Sequence, residues 1–362
     1  MNSFKPQINT DETRIREGFG IQGSDICVNL CPPVAFRTNH FRRALVNWYR
    51  RNGRKLPWRE TSDPYAILVS ECMLQQTQVA SVIPYYNEWL RRFPDFGTLA
   101  RASESQVLRT WQGLGYYARA RNLHAAAKIV QDRYDGILPR TIAIMQKLPG
   151  IGLYTANAVA TFAFDESVPI VEANTARVLA RIFDLRERID QMPGRELLWQ
   201  RALSLVPKSS AHIYNSALTD LGALSCLPRQ PKCGICPVKK FCRAKDPEAL
   251  PLKKARPPTL RLTEHHAFVT RQKRILLQQS DHRWRGMWIL PPLKRRSANR
   301  RPAYKSIFPF TNHRVALNVY AQRRQKIENR SQRWMRVNSL ESLPVPSPHR
   351  RAIAALLSKR PG

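Results

Sequence analysis

The chain is poor in acidic residues and has no long apolar stretch. Its 362 residues include 26 Asp and Glu against 60 Lys and Arg, for a formal net charge of +34. No apolar run reaches the roughly 18 residues that a membrane-spanning helix needs, which excludes a bilayer-spanning protein. A positive excess of this size favours nucleic acid or anionic lipid as the partner, and without a membrane segment we expect nucleic acid.

An export signal is also lacking. Residues 1–20 contain no apolar core of a signal peptide, so we expect a cytoplasmic, bacterial nucleoid-associated protein in a reducing compartment. Structural disulfides rarely persist there, and clustered thiols are then read as metal ligands. Four of the seven cysteines fall within residues 226–242, which makes this segment a candidate metal site.

Length and composition predict more than one domain. A hydrophobic content of 43% is enough for real cores. We predict a loose polar arm over residues 1–36, a helical domain over 37–245, a basic Pro-rich linker over 246–260, and short strands with a closing helix over 261–362. From residue 250 onward 26 Lys and Arg stand against 4 Asp and Glu, so this part carries +22 of the net charge.

Hydrophobic periodicity and Gly/Pro punctuation predict the individual elements. The predicted helices are one ending at Gly53 and those over residues 66–75, 78–92, 104–111, 117–131, 154–163, 173–183, 194–205 and 211–222. The predicted strands are 265–271, 274–280, 315–322 and 333–340, and residues 349–358 form the closing helix.

Glu71 lies in the almost unbroken apolar run of residues 63–82. Glutamate is seldom buried without a partner, and desolvation raises the pKa of its carboxyl toward neutrality. A carboxylic acid that stays protonated near pH 7 can donate a proton in catalysis. The alternative is a Glu that caps a helix or forms a salt bridge at its edge.

Gln75 and Gln76 follow Glu71 within two helical turns. Their side chains either form polar surface or contact a base edge or a gap in the base stack.

A second carboxylate, Glu172, precedes a helical segment that carries Asn174, Arg177 and Arg181. An acid at this position caps a helix favourably, and capping is compatible with a catalytic role. A pair of acids suggests glycosyl chemistry, in which one protonates the leaving group and the other faces a cationic sugar.

Two further segments predict binding. Gly150 and Gly152 form a tight turn between two helices, where backbone N–H groups can approach a phosphate. An ordinary helix-joining turn is the alternative.

Cys226, Cys233, Cys236 and Cys242 have the spacing C-x6-C-x2-C-x5-C. Four thiolates at this spacing bind either zinc or a [4Fe–4S] cluster, and spacing alone does not choose between them.

The assembled motifs closely resemble the adenine DNA glycosylase (MutY-type) branch of the endonuclease III, helix-hairpin-helix iron–sulfur DNA glycosylase family. The resemblance runs from about Phe36 to Leu357 and rests on LPWR at 56–59, SECMLQQTQV at 70–79, GLGYYARARNL at 113–123, LPGIGLYTANAV at 148–159 and the cysteine spacing. It implies a mainly α helix-hairpin-helix domain with a [4Fe–4S] loop and a smaller α/β Nudix-like C-terminal domain.

The resemblance also implies site residues. Glu71 matches the general acid, Glu172 the second acid, Tyr154 the position where lyase relatives carry a Schiff-base lysine, and Asn174 a polar residue of the pocket. The residues implied to contact DNA are Arg59, Gln75, Gln76, Thr77, Tyr116, Gly150, Gly152, Arg229 and Lys232, with Gln76 and Tyr116 as the side chains that wedge into the duplex.

The C-terminal segment resembles the lesion-reading Nudix-like domain of the same family and lacks a Nudix hydrolase box. The family's Ser/Thr-His pair matches Thr311, but Asn312 follows it and His313 comes one place late. Two more departures concern catalysis. The family's second acid is usually Asp, where this chain has Glu172. Ser216 replaces an acidic or amide residue that usually follows Asn215.

The resemblance implies a monomeric, monofunctional base-excision enzyme. Its substrate would be double-stranded DNA with adenine mispaired with 8-oxoguanine or guanine. The alternatives are a paralogue with altered base choice, a catalytically weak paralogue that only binds mismatched DNA, and an RNA-binding zinc protein without iron.

Overall fold

The computed structural model describes residues 32–255, 257–293, 301–322 and 330–358. The chain divides into two compact units, residues 1–40 and 41–362. Of the first unit only residues 32–40 are described, and they are helical. Most of the arm predicted over residues 1–36 therefore lies outside the described residues, and the predicted domain boundaries stay predictions.

Eleven helices precede the first strand in the described chain. They are α1 (Pro32–Asn52), α2 (Pro64–Leu74), α3 (Val79–Arg92), α4 (Phe96–Arg101), α5 (Glu104–Thr110), α6 (Ala118–Tyr134), α7 (Ile142–Met145), α8 (Leu153–Phe164), α9 (Ala173–Ile182), α10 (Gly194–Leu205) and α11 (Ala211–Leu224). Each predicted helix is present with its ends shifted by no more than a few residues. The short helices α4 and α7 were not predicted, because four to six residues contain too little periodicity to detect.

The helical residues pack into two cores. One core contains apolar side chains of α2, α3, α4, α5, α6 and α8, and the other contains those of α1, α9, α10 and α11. Helices α2 and α8 contact each other within the first core, and α9 contacts α11 within the second. Glu71 in α2 and Glu172 at the start of α9 therefore belong to different cores, and the candidate site lies where these two cores meet.

The C-terminal residues form a mixed sheet with a closing helix. Its elements are β1 (Leu260–Arg271), β2 (Arg274–Gln279), β3 (Trp288–Ile289), β4 (Tyr304–Phe310), β5 (His313–Gln322), β6 (Gln332–Arg336) and α12 (Ser347–Leu357). The strand order is β3-β2-β1-β5-β4, with β6 pairing with β2. Strands β1 and β5 are parallel over ten residue pairs, from Leu260 opposite His313 to Val269 opposite Gln322. The predicted fold class, mainly α with a smaller α/β domain, is confirmed.

The sequence expectations for the sheet were incomplete: β3 and β4 were not predicted, and β1 begins at Leu260, five residues before the predicted strand. β4 was missed because Pro309 argues against a strand; it is tolerated because β4 is the last strand of the order and pairs only with β5. The strand predicted over residues 333–340 ends at Arg336, where a 3₁₀ turn begins.

The sheet shares the first helical core. Buried side chains of β1, β2 and β5 belong to the same apolar cluster as those of α5 and α6. One close approach is at Gly286, where a Cβ would lie 2.5 Å from a Glu104 oxygen and 3.0 Å from Leu108. Arg121 of α6 donates to the carbonyl of Arg285 at 2.9 Å. The C-terminal domain is therefore packed against α5 and α6.

No helix in the described part of the chain is both long and apolar enough to cross a membrane.

Candidate active site and nucleic-acid interface

Glu71 is buried because α2 is apolar on every side. Asp63 caps the helix by accepting from the N–H groups of Tyr65 and Ala66, and Pro64 occupies the first turn. All nine residues from Tyr65 to Met73 are then buried, and Glu71 is only 4% exposed. Burial raises the pKa of its carboxyl to about 7, so near neutral pH a large fraction of Glu71 carries a proton.

Tyr154 is the hydrogen-bond partner of Glu71. It lies in the first turn of α8, which follows the Gly150–Gly152 turn. The Tyr154 hydroxyl donates to Glu71 Oε2 at 2.6 Å. This bond lowers the pKa of Glu71, but by less than burial raises it. A phenol occupies this position, so no amine is available there to form a Schiff base.

Glu172 caps α9, as its sequence position allowed. Its carboxylate accepts from the N–H groups of Asn174 at 2.7 Å and Thr175 at 3.0 Å. The Glu172 N–H donates back to Thr175 Oγ1 at 2.8 Å, which completes a capping box. The negative charge of Glu172 also raises the pKa of Glu71. The structure therefore brings the two predicted acids into electrostatic contact.

Arg59 completes the charged surroundings of Glu71. Its guanidinium binds Asp220 of α11 in a bidentate pair, both distances being 2.8 Å. Arg54 donates to the same carboxylate from its N–H at 2.8 Å and from its side chain. Burial alone would raise the pKa of Asp220, but the bonds from Arg59 and Arg54 hold it below its ordinary value. The positive charge of Arg59 in turn lowers the pKa of Glu71.

Asn174 is half-buried, and its side chain is bound to its own helix. Its Oδ1 accepts from Arg177 Nη2 at 2.9 Å. Arg177 also donates to the carbonyl of Gly222 at 2.7 Å, and a Cβ at Gly222 would lie 2.7 Å from the Cβ of Asn174. Helices α9 and α11 are therefore in close contact at Asn174, beside the Glu172 cap.

The predicted wedge side chains lie on two exposed turns. Gln76 follows α2 and Tyr116 precedes α6, and both have left-handed backbones, with φ of 56° and 48°. Gln76 is exposed, and Tyr116 is 42% exposed. Gln75 donates to Thr155 Oγ1 at 3.4 Å, and Thr77 donates to the carbonyl of Gln75 at 3.3 Å. Left-handed backbones are rare for such residues and are concentrated at functional sites.

The Gly150–Gly152 turn presents free backbone. Gly150 has φ +75°, and a Cβ there would meet Asn122 at 2.7 Å. Nothing lies within 4 Å of the position that a Gly152 Cβ would occupy, and both glycines are exposed. The turn joins α7 to α8 with its N–H groups at a helix N-terminus, which is the geometry that binds phosphate.

The four-cysteine segment is half-buried against α9. None of the four thiols is in a disulfide. Burial, and then the neighbouring thiols of Cys226, Cys233 and Cys242, raise the pKa of Cys236 to about 11. Arg181 donates to Cys226 Sγ at 3.2 Å and to the carbonyl of Leu227 at 2.7 Å. The predicted phosphate contacts Arg229 and Lys232 are exposed on the same segment.

The predicted lesion-reading residues occupy the β4–β5 hairpin. Thr311 and Asn312 form its two-residue tip, and both are exposed. Thr311 has φ of 50°. Its Oγ1 lies 3.5 Å from His313 Nδ1, so the hydroxyl and the imidazole lie close to each other even though Asn312 separates them in the sequence.

Family models and relatives match this chain over most of the site. Residues 69–202 match the HhH-GPD superfamily base excision DNA repair protein. Residues 226–242 match the iron–sulfur binding domain of endonuclease III. The adenine DNA glycosylase of Buchnera aphidicola subsp. Acyrthosiphon pisum (strain APS) is 33% identical over 260 residues, which cover 70% of this chain and 74% of that one. The chain belongs to the adenine DNA glycosylase family.

Other relatives of this adenine DNA glycosylase family member are more similar over shorter stretches. The adenine DNA glycosylase of Buchnera aphidicola subsp. Baizongia pistaciae (strain Bp) is 43% identical over 205 residues. That of Homo sapiens is 41% identical over 214 residues. The chain spans 58% and 39% of the lengths of these two relatives.

Solved structures share the helical fold. A thermostable thymine-DNA glycosylase is 30% identical with a TM-score of 0.54, and the match covers 58% of this chain and 96% of that one. An endonuclease III–DNA complex is 21% identical with a TM-score of 0.50, which supports the fold alone.

The cysteine segment of this family member fits an iron–sulfur cluster. The thiols of Cys226, Cys233 and Cys242 lie close enough to that of Cys236 to raise its pKa, and the Arg181 N–H that reaches Cys226 is the kind of donor that surrounds cluster sulfurs. Together with the matched iron–sulfur domain, this confirms the predicted [4Fe–4S] cofactor.

Sequence reasoning missed three polar residues of this candidate site. Asp220 lies in an apolar helix much as Glu71 does, and that pattern could have identified it. Arg54 was not distinguishable from the other arginines of a basic chain. Arg119, 8% exposed, lies in a motif that carried the resemblance, but nothing in the sequence showed that its side chain points inward.

Proposed function

We propose that this chain hydrolyses the N-glycosidic bond of adenine mispaired with 8-oxoguanine or guanine in double-stranded DNA, without lyase activity. The observation that carries the proposal is the state of Glu71. Its carboxyl is 4% exposed, has a pKa of about 7 and accepts a 2.6 Å bond from Tyr154. It is a carboxyl that is partly protonated near neutral pH, beside a second carboxylate, as glycosyl transfer requires.

The chemistry follows from these two acids. Glu71 gives its proton to a ring nitrogen of the extruded adenine, which makes the base a neutral leaving group. The bond between that base and C1′ breaks, and the base keeps the electron pair. The positive charge that develops on the sugar is opposed by the Glu172 carboxylate. Water then adds to C1′ and returns a proton to Glu71. Tyr154 holds Glu71 in place throughout.

The surrounding residues support DNA as the partner. Gly150 and Gly152 offer backbone N–H groups to phosphate, and Arg229 and Lys232 add two exposed charges. Gln75, Thr77 and the wedge residues lie on the turns nearest α2. Thr311, Asn312 and His313 would contact the base opposite adenine, and Arg59 and Asn174 support the pocket. We further propose a monomer that works at the bacterial nucleoid, with the domain limits predicted above.

Single-turnover kinetics on one A:8-oxoguanine duplex test the function. Wild type should release adenine, with a rate that falls as the pH rises through about 7, because Glu71 loses its proton there. Glu71→Gln should bind the duplex within a few-fold of wild type and release no adenine, since an amide has no acidic proton. Glu88→Gln, at an exposed glutamate, is the matched control and should keep the wild-type rate. Retained excision by Glu71→Gln would remove Glu71 from this role.

A second candidate is a weak paralogue that binds mispaired DNA without efficient excision. The observation that favours it is the capping box. Both Glu172 oxygens already accept from N–H groups of α9, and the nearby Ser216 is buried. The same experiment separates the two functions. Mismatch-selective binding with no adenine release from any adenine mispair supports the second, and release from another base supports altered base choice.

A further inference from the structure

Arg119 connects the two turns that carry the predicted wedge side chains. Its Nη1 donates to the carbonyls of Cys72 at 2.9 Å, Met73 at 2.8 Å and Gln75. Its Nη2 donates to Thr77 Oγ1 at 3.1 Å, on the far side of Gln76. The two terminal nitrogens of the guanidinium therefore bind the turn between α2 and α3 on both sides of Gln76.

The same guanidinium binds the turn before α6. Nη2 also donates to the carbonyls of Leu114 at 3.3 Å and Gly115 at 3.2 Å. The guanidinium carbon lies 5.4 Å from the centre of the Tyr116 ring. On the other side it lies 5.3 Å from the ring of Trp111. The residue just before Tyr116, and Tyr116 itself, therefore contact the group that binds the Gln76 turn.

Burying the charged side chain of Arg119 at this place costs free energy. Its side chain is buried, and burial lowers its pKa to about 10. Among the described residues it forms no ion pair: the acceptors of its bonds are backbone carbonyls and one hydroxyl. A buried charge without a counter-charge costs free energy, so a purely structural tie between two turns would be achieved more cheaply by an uncharged side chain.

The backbone of both wedge residues needs outside support. Gln76 and Tyr116 have φ of 56° and 48°, and such conformations are unfavourable for non-glycine residues. They persist only where the surroundings hold them. Arg119 bonds to carbonyls immediately before both residues, so one side chain stabilises both conformations and sets the spacing between them.

We propose that Arg119 is a positioning residue that holds Gln76 and Tyr116 as one unit, so that both side chains enter the base stack together when adenine is extruded. The proposal rests on the proposed function. Extruding a base costs the free energy of its stacking and pairing, and two side chains at a fixed separation recover more of it than two that enter independently. Arg119 then assists extrusion and leaves the later bond cleavage unaffected.

A competing role must be separated in the test. Arg119 also binds the carbonyls of Cys72 and Met73, which follow Glu71 in α2, and could support the reaction by holding Glu71. The two roles differ in their dependence on the substrate. A defect in extrusion disappears when the adenine is already unstacked, whereas a defect in Glu71 remains and shifts the pH dependence of the rate.

The test compares single-turnover rates of Arg119→Lys and Arg119→Met on two duplexes, one with a paired A:G mismatch and one with adenine in a single-nucleotide bulge. Lysine keeps the charge but lacks the fork that reaches both turns. We expect both variants to lose about tenfold or more on the paired adenine and less than about threefold on the bulged adenine, with an unchanged pH profile. Arg121→Lys, two residues further along α6 and bound to Arg285, should lose nothing on either substrate.

An equal loss on both duplexes, or a shifted pH profile, would overturn the proposal in favour of support for Glu71. If Arg119→Met does not fold, as shown by lost iron absorbance, Arg119→Lys decides alone. Fluorescence of 2-aminopurine placed at the adenine position gives an independent readout: wild type should unstack it on binding, and Arg119→Lys should not. This measurement needs no bond cleavage, so a wild type that binds but does not cleave would reject the proposed function and still test Arg119.

Discussion

At the scale of single residues, two buried acids of the site are held in opposite states. Glu71 lies among apolar side chains with one phenol as its partner, and its pKa is raised. Asp220 receives bonds from Arg54 and Arg59, and its pKa is lowered although it is buried as well. When the surroundings separate the pKa values of two acids in this way, one acid can donate a proton and the other can serve as a fixed negative charge. Asp220 keeps Arg59 charged and fixed, and Glu71 keeps its proton.

The raised pKa of Glu71 predicts how stability changes with pH. Below its ordinary pKa of 4.5 Glu71 is protonated in both states; above about 7 it must lose its proton in the fold. Between these values the folded state binds more protons than the unfolded state, so stability falls as the pH rises. The full cost is about 3 kcal/mol.

Glu71→Gln should remove this cost. At pH 8.5 the variant should be up to about 3 kcal/mol more stable than wild type, and at pH 4.5 the two should be nearly equal. Urea unfolding at the two pH values measures the difference, with Glu88→Gln as an exposed control that gains nothing at pH 8.5. Equal stability of wild type and Glu71→Gln at both pH values would contradict a buried, protonated Glu71.

Substitutions of Glu172 test whether the residue that caps α9 also takes part in the reaction. Glu172→Gln keeps an oxygen for the α9 N–H groups but loses the charge, so we expect at most about 1 kcal/mol of lost stability and at least about a hundredfold loss in single-turnover rate. Glu172→Asp should be neutral or faster. Ser103→Ala, which removes the cap of another capping box at α5, should lower stability without slowing excision. Wild-type cleavage by Glu172→Gln would leave Glu172 as a cap only.

Single residues also show what sequence reasoning could reach. The burial of Glu71 follows from an acid placed in an apolar run, and the Glu172 cap follows from an acid before a helical period. The role of Arg119 could not be predicted, because its six bonds go mainly to backbone carbonyls of two turns that are remote in the sequence. The left-handed backbone conformations of Gln76 and Tyr116, which we propose those bonds stabilise, could not be predicted from the sequence either.

At the scale of elements, α9 supports both the site and the cysteine segment. Its N-terminus carries Glu172, and Arg177 and Arg181 on the next two turns donate to the carbonyls of Cys226 and Leu227. The cysteine segment also contacts α9 through Cys242, whose Sγ lies 3.3 Å from the carbonyl oxygen of Arg181. We therefore expect a change in the cysteine segment to disturb the helix that positions Glu172.

The cluster ligands can be tested at this scale. Cys233→Ser should lower iron content well below that of wild type and weaken DNA binding, because losing one ligand opens the loop that carries Arg229 and Lys232. Iron analysis and absorption near 400 nm measure the loss. Cys72→Ala, at a buried cysteine of α2 outside the segment, should keep its iron. Stoichiometric zinc without iron in wild type would contradict the cofactor.

The elements themselves were largely predictable, and the exceptions have physical causes. Long helices such as α6 and α11 follow from periodicity. β4 was missed because Pro309 is acceptable only in an edge strand, and the order of strands in a sheet is a tertiary property. The parallel pairing of β1 with β5 likewise could not be read from strand patterns.

At the scale of the whole molecule, the helical domain and the sheet share one apolar core, and polar contacts join them at the turn before α6. Arg350 of α12 donates to Gln112 Oε1 at 3.0 Å, and Tyr85 donates to the carbonyl of the same residue at 3.1 Å. Gln112 belongs to the connection that carries Tyr116. The domain with the Thr311 hairpin is thus in direct contact with the turn that carries one wedge residue.

The net charge of +34 predicts a steep dependence of DNA affinity on salt. Each phosphate that a protein cation neutralises contributes about 0.9 to the slope of log affinity against log salt, and six to ten contacts lose about a thousandfold or more between 50 and 200 mM salt. We expect wild type to lose about a thousandfold over this range, since Arg229, Lys232 and the Gly150–Gly152 turn offer only some of the contacts that so basic a chain can make.

Removing two of these charges should change the slope by a calculable amount. Arg229→Gln combined with Lys232→Gln should reduce it by about two, equally for mispaired and fully paired duplexes, because phosphate contacts carry no sequence information. Arg91→Gln is the matched control: its charge already lies 2.8 Å from Glu88, so its slope should equal that of wild type. Fluorescence anisotropy at four salt concentrations measures all three. An unchanged slope in the double variant would mean that the cysteine segment does not contact phosphate, whatever the total charge of the molecule.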